Sequence, residues 1–218
     1  KAGDKIDLAG FGVELINVNH SIPDAVAVAI RTNAGTIVFS GDYKIDLTPI
    51  EGEPMDLSRY AALGGEGVLA YFGDSTNSER PGYVPSESIV GETLNEVFER
   101  AEGRIIVASF ASHLHRVSQV VEAAKNHNRL VGVTGRSMIR NVQIARELGY
   151  LDLPQSMYVD QRDVNQVPDG DIVILTTGSQ GEPLAALSRI AAGTHRSIEV
   201  GAEDTVVIAA HPIPGNER

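Results

Sequence analysis

RIIVASFASHLHRVSQVVEAAKNHNRLVGVTGRSM, residues 104–138, holds two short apolar runs separated by a segment of different period. Arg104 to Phe110 and Arg129 to Thr134 are rich in β-branched residues and predict strands. Between them Leu114, Val117, Val120, Val121 and Ala124 recur at the three- and four-residue spacing of one helical face. Ala111-Ser112 and Gly135-Arg136-Ser137 each carry the chain from a strand end toward a helix start. Parallel strands need a long crossover where antiparallel ones need only a tight turn, so strand, helix, strand in this order is the unit of a parallel sheet.

The alternation continues on both sides. Val68 to Phe72 leads through GDSTNSERPG to a predicted helix from about Ser86, whose Ile89, Val90, Leu94, Val97 and Phe98 share a face. Gly135-Arg136-Ser137 opens a helix carrying Met138, Val142, Ala145 and Leu148. Asp171 to Thr177 leads through Gly178-Ser179-Gln180-Gly181 to a helix over Glu182 to Ala192, and Thr205 to Ala210 ends at HPIPGN, residues 211–216. The fold class is therefore α/β, with a mostly parallel sheet flanked by helices on both faces. The first part of the chain reads differently. Val13 to Val18 partly alternates, and Ala25 to Arg31 and Thr36 to Ser40 flank the turn Asn33-Ala34-Gly35, which predicts a strand plus a β-hairpin. The polar, proline-bearing LTPIEGEPMDLSRY, residues 47–60, is the candidate boundary, giving domains at 1–55 and 56–218.

Composition narrows the chemistry. With no cysteine, disulfides and thiolate zinc sites are excluded, so any metal must be held by His, Asp or Glu. A net charge of −11 argues against nucleic-acid binding through a bulk positive field and leaves a local arginine pocket as the available mode. No run approaches the roughly 18 apolar residues of a membrane span, and the first residues lack a signal-peptide layout, so a cytoplasmic protein without a membrane partner is expected. The chain opens on Lys1 and closes on PIPGNER directly after an apolar run, which reads as a fragment of a longer protein.

In an open parallel sheet, ligands bind beyond the carboxyl ends of the strands. The loops there read DSTN, FASH, GRS, TGSQGE and HPIPGN, each carrying glycine or a small hydroxyl residue. Helix N-termini with unpaired N–H groups, joined by serine hydroxyls and Arg136, suit a phosphate cradle. The alternative is that Ser112, Ser137 and Ser179 are ordinary caps or turn residues. Asp74 is either a site carboxylate or an Asx turn. His113 and His115, two apart, do not share a helical face, His127 and His195 read as surface residues, and His211 is undecided. Hairpin geometry brings His20 and Asp42 to one edge, where an imidazole and a carboxylate suit zinc or manganese, although a closed site needs more donors. A simple His–Asp hydrogen bond is the alternative.

Taken in order, HSIPDA (20–25), GDYK (41–44), DSTNSERPG (74–82), FASHLHR (110–116), GRSM (135–138), TTGSQGEP (176–183) with ALSRIA (186–191), and IPGNE (213–217) resemble the bacterial ribonuclease J family. That family belongs to the metallo-β-lactamase superfamily and carries an inserted β-CASP domain. The resemblance implies a partial metallo-β-lactamase β-sandwich followed by a β-CASP domain. It matches His20 to a metal-binding histidine, Asp42 to the aspartate that bridges two metal ions, and Asp74 to the acidic β-CASP residue that supports the metal site in catalysis. It places RNA and phosphate binding on Ser109, Ser112, Gly135, Arg136, Ser137, Gly178, Ser179 and Gln180.

The implied activity is metal-dependent hydrolysis of RNA, endonucleolytic and 5′ to 3′ from monophosphorylated ends. Two divalent ions are implied, zinc first with manganese or magnesium as alternatives, and a homodimer or homotetramer for the whole protein. The family's HxHxDH motif is absent from this chain, so the chain alone is expected to be inactive and to bind zinc weakly or not at all. Three rivals stand: a flavodoxin-like module that binds a nucleotide or phosphate without chemistry, a hydrolase of small esters, and a β-CASP nuclease acting on DNA.

Overall fold

The structure is a computed structural model that describes residues 1–182 and 184–210. The chain divides into two compact units, Lys1–Ser88 and Ile89–Arg218. The division falls later than the polar segment 47–60 suggests, because that segment folds back onto the first unit: Asn19 and Asn17 side-chain amides donate to the Glu53 carbonyl at 2.9 and 3.0 Å.

In the first unit β1 (Lys5–Leu8), β2 (Phe11–Asn17), β3 (Val26–Thr32) and β4 (Gly35–Phe39) pair antiparallel in sequence order. Helix α1 (Leu57–Glu66) begins where Asp56 accepts from the Arg59 N–H at 2.9 Å, and leads into β5 (Ala70–Phe72). β5 joins the sheet parallel to β4, with Phe39 opposite Phe72. This corrects the expectation that Val68 to Phe72 opens the parallel sheet. A short apolar strand followed by a loop has the same local pattern whichever sheet supplies its partner.

Period-two alternation gives this sheet a buried face of Ile16, Ala27, Ala29 and Val38, closed by Leu63 of α1 and by Met55. Glu14 lies on the same face at 4% exposure. Its carboxylate accepts from Arg59 Nε at 2.7 Å and from Arg31 Nη1 at 2.8 Å, so α1 is pinned to β2 and β3 by a desolvated ion cluster. These guanidiniums hold Glu14 far below the ordinary carboxylate range, at about 2.

The second unit holds α2 (Ser88–Arg100), β6 (Ile105–Ala108), α3 (Leu114–Asn126), β7 (Leu130–Val133), α4 (Arg136–Glu147), β8 (Tyr158–Val159), β9 (Ile172–Thr176), α5 (Ala186–Ala191) and β10 (Thr205–Ile208). Its sheet runs β10-β6-β9-β7-β8, with every pairing parallel. One face, with Ile105, Val107, Val131, Val133, Val173 and Leu175, packs with Leu94 and Phe98 of α2, Val117, Val120 and Val121 of α3, and Met138 and Val142 of α4. The other, with Ile106, Ile172 and Ile174, packs with Ile190 of α5 and with Ile198. Full burial on both faces explains why β6, β7 and β9 read as unbroken apolar runs. The edge strand β10 is tied in by Asp204, whose carboxylate receives Arg104 Nε at 3.1 Å and Nη2 at 2.6 Å. No helix among the described residues is long and apolar enough to cross a membrane.

Candidate functional site

Strand order fixes where the second unit can bind a ligand. The connection from β6 through α3 leaves on the face that carries α4, whereas the connection from β9 through α5 leaves on the opposite face. β6 and β9 are neighbours whose connections leave on opposite faces, so the position beyond their carboxyl ends is the one where open parallel sheets have their ligand crevice.

The loops at this edge are joined to one another. The Ser109 N–H donates to the Thr176 carbonyl at 3.1 Å, which extends the β6–β9 ladder into the loops. Asn141 of α4 donates to the Ala111 carbonyl at 2.8 Å and holds the loop after β6 against α4. Gly135 sits at φ +90°, and a Cβ there would meet Thr177 Oγ1 at 2.8 Å. Gly178, at φ +108°, would meet Ala185 Cβ at 2.9 Å and Leu187 Cβ at 3.0 Å. Both positions therefore need glycine for conformation and for space, and the loops after β7 and β9 pack without a gap between them.

Two polar features here lack partners among the described residues. Ser109 is 1% exposed, yet its hydroxyl has no hydrogen-bond partner among them, a costly arrangement that a ligand acceptor would relieve. The N-cap of α4 is Gly135, which brings no side-chain cap, so the first N–H groups of α4 face outward uncapped beside the exposed Arg136 and Ser137. The α3 terminus is different: His113 Nδ1 accepts from the Arg116 N–H at 3.2 Å.

The expected residues thus divide. Ser109, Gly135, Arg136, Ser137, Gly178 and Ser179 lie on the loops around the crevice, with Ser179 buried. Ser112 is exposed and does not cap α3, since His113 fills that role. The Gln180 N–H is taken by Glu182 Oε2 at 3.2 Å. The HPIPGN segment and His211 lie outside the described residues. Sequence reading missed Thr134 and Thr177, which back the glycines, and it placed His195 on the surface. His195 is half-buried and its Nε2 lies 3.1 Å from Thr134 Oγ1. The only local signal was a threonine directly before glycine in VTGRS and TTGSQ.

The first unit carries a separate cluster. β2, β4 and β5 run in the same direction, so the residues that follow them, His20, Asp42 and Asp74, emerge at one sheet edge. A bridge with Lys44 N–H donating to the Asn19 carbonyl at 2.7 Å fixes the two flanking segments side by side. His20 Nε2 and Asp42 Oδ2 are 3.7 Å apart. That is long for a hydrogen bond, and it is near the roughly 3.4 Å that separates two donors sharing a tetrahedral zinc. The donor set therefore fits a metal ion as two of its ligands; among the described residues no group of three or more His, Asp or Glu side chains converges on one point. The Asp74 N–H donates to Ser40 Oγ at 2.9 Å, and Asp74 Oδ1 accepts from the Thr76 N–H at 2.8 Å. These Thr76 contacts, and more weakly the His20 charge, hold the Asp74 carboxyl below its ordinary value.

Comparison with known proteins gives a consistent picture. The family model for the ribonuclease J β-CASP domain matches residues 102–218. Ribonuclease J of Helicobacter pylori (strain ATCC 700392 / 26695) is 46% identical over 212 residues, covering 97% of this chain and 31% of the relative. The Mycolicibacterium smegmatis and Thermus thermophilus ribonucleases J are 50% and 46% identical over 208 residues, each covering 95% of this chain and 37% and 36% of the relatives. The chain thus spans about a third of the length of these relatives. Among solved structures, a protein of unknown function from Enterococcus faecalis V583 superposes with a TM-score of 0.59 at 14% identity, over 95% of this chain and 56% of that one, a likeness of fold.

Proposed function

Because the chain belongs to the ribonuclease J β-CASP family, we propose that it is the part of a metal-dependent ribonuclease that receives the 5′ end of RNA and supplies two metal ligands. The observation that carries the phosphate half of this reading is the buried Ser109 hydroxyl at the carboxyl end of β6, which has no partner among the described residues. The reading also draws on the uncapped N-terminus of α4 and the Arg136 guanidinium, at the same end of the sheet after β7.

A terminal phosphate offers several anionic oxygens. One accepts from Ser109, others take N–H groups at the start of α4, and Arg136 can grip two at once. The close-packed Gly135 and Gly178 bring backbone near the ligand without side-chain bulk. Pre-ordered donors suit a 5′-monophosphate over a hydroxyl end, because only the phosphate can satisfy them. The net charge of −11 is compatible with this, since the site is a local pocket and no broad basic surface is needed.

At the other edge, His20 and Asp42 would hold a divalent ion, zinc or manganese by donor chemistry. When bound, such an ion lowers the pKa of water and stabilises charge on a phosphoryl oxygen. Asp42 and His20 would fix its position, and Asp74, kept ionised by its own hydrogen bonds, adds negative charge to the same edge. RNA is favoured over DNA or a small ester as substrate on family grounds, and a binding module without chemistry would have no need of the His20–Asp42 pair. The test is cleavage of matched RNA and DNA by the whole protein carrying His20→Ala or Asp42→Asn. Loss of RNA cleavage by at least about 100-fold supports the reading, and unchanged cleavage contradicts it.

A further inference from the structure

His195 stands just beyond the end of α5, in a segment that no motif marks. Its backbone is fixed: the N–H groups of Thr194 and His195 both donate to the Arg189 carbonyl, at 2.9 and 3.1 Å. The ring is fixed at both nitrogens. Nδ1 accepts from the N–H groups of Ser197 and Ile198 at 3.3 and 3.2 Å. Nε2 lies 3.1 Å from the hydroxyl of Thr134, which is fully buried. Asn165 holds the same turn from outside by donating to the Ser197 carbonyl at 2.6 Å.

These contacts dictate the tautomer. Two backbone donors aimed at Nδ1 require it to be unprotonated, so the neutral ring carries its proton on Nε2 and donates it to Thr134 Oγ1. Burial, and secondarily the charge of Arg189, disfavours the doubly protonated ring. Thr134 in turn donates its N–H to the Leu175 carbonyl at 2.9 Å and immediately precedes Gly135, the N-cap of α4.

We propose that His195 is a positioning residue that clamps Thr134, so that the chain beyond α5 sets the geometry of the Gly135-Arg136-Ser137 loop. The importance of that loop for an anion rests on the functional reading above, whereas the clamp itself is a property of the unliganded chain. The ring links the loop after β7 to the segment after α5. A change at residue 195 therefore alters the α4 N-terminus from behind.

Two substitutions separate the ring's two functions. His195→Asn places an amide near the position of Nδ1, retains an acceptor for Ser197 and Ile198, and cannot reach Thr134. His195→Gln extends to the position of Nε2 and restores a donor to Thr134. Amide hydrogen exchange of the 218-residue chain, measured without ligand, is expected to quicken at Thr134 and Ile139, whose N–H groups donate to the Leu175 and Gly135 carbonyls on either side of the loop, in His195→Asn by about two- to tenfold, the range one hydrogen bond supports. In His195→Gln the exchange at these two amides is expected to match the unsubstituted chain even if its melting temperature falls. Equal quickening in both variants, or in neither, overturns the clamp. A parallel titration with 5′-AMP, read at the same amides, is expected to weaken in His195→Asn and recover in His195→Gln. Failure of 5′-AMP to bind the unsubstituted chain counts against the phosphate cradle alone, since the exchange comparison reads the clamp with no ligand present.

Discussion

Asp42 stands 3.7 Å from His20, Oδ2 to Nε2, because the strands before them run the same way and end at the same edge. β2 and β4 are separated by β3, so an imidazole and a carboxylate from segments more than twenty residues apart in sequence meet without any direct pairing of their own strands. Two donors at that spacing make half of a tetrahedral site. The 218-residue chain, dialysed against micromolar zinc and assayed by atomic emission, is therefore expected to retain well under one zinc per chain. Stoichiometric zinc that is lost on His20→Ala would show that further donors of this chain complete the site.

The Glu14 cluster makes the first unit sensitive to acid. The folded carboxyl, at about 2, lies below its ordinary 4.5. The corresponding stabilisation is fully present above pH 4.5 and is lost as pH falls through 2, because the unfolded chain then takes up the proton first. The difference corresponds to about 3 kcal/mol. Glu14→Gln is expected to lower stability by an amount of that order at pH 7 and to flatten the dependence of stability on pH between about 5 and 2, measured by urea unfolding. An unchanged slope would mean that Arg31 and Arg59 contribute little in the folded state.

The two faces of the first sheet should respond differently to truncation. Val38 is 2% exposed under α1, whereas its neighbour Phe39 is 39% exposed and stacks on Phe72 with ring centroids 4.7 Å apart. Val38→Ala is expected to cost about 1–2 kcal/mol by leaving a cavity, and Phe39→Ala under about 1 kcal/mol in this chain despite its larger loss of volume. A larger cost for Phe39→Ala in thermal unfolding would mean that its face is covered.

Gly178 tests the close packing of the loops. Alanine there keeps φ +108° at a strain of about 1–3 kcal/mol and meets Ala185 and Leu187. Gly178→Ala is expected to lower the melting temperature by several degrees and to displace the Gly135 and Thr177 resonances. Unperturbed spectra would show that the loop can move aside.

The parallel sheet was legible because β6, β7 and β9 are buried on both faces and so carry long apolar runs, while α3 and α4 keep a clear helical period. Its fifth strand was not. β8 is Tyr158–Val159, too short for any period to show, and the run Val68 to Phe72 was assigned to the wrong sheet because a strand's sequence does not name its neighbour. At the site, glycine and hydroxyl residues at strand ends pointed to the Gly135-Arg136-Ser137 and Gly178-Ser179 loops, hairpin geometry brought His20 and Asp42 together, and the motif series added Ser109 and gave Asp74 its role. His195 was invisible for a physical reason: its partner Thr134 lies sixty-one positions away, and nothing local to GTHRS announces the contact.

The central claim is that the crevice beyond β6 and β9 receives a 5′-phosphate with Arg136 among its donors. The most direct measurement compares cleavage of matched RNAs bearing a 5′-monophosphate or a 5′-hydroxyl by the whole protein, with and without Arg136→Ala. Losing a bidentate guanidinium contact to the phosphate is expected to slow the monophosphorylated substrate by about 10- to 100-fold and the hydroxyl-ended one by less than about threefold. Equal loss on the two substrates would contradict the claim.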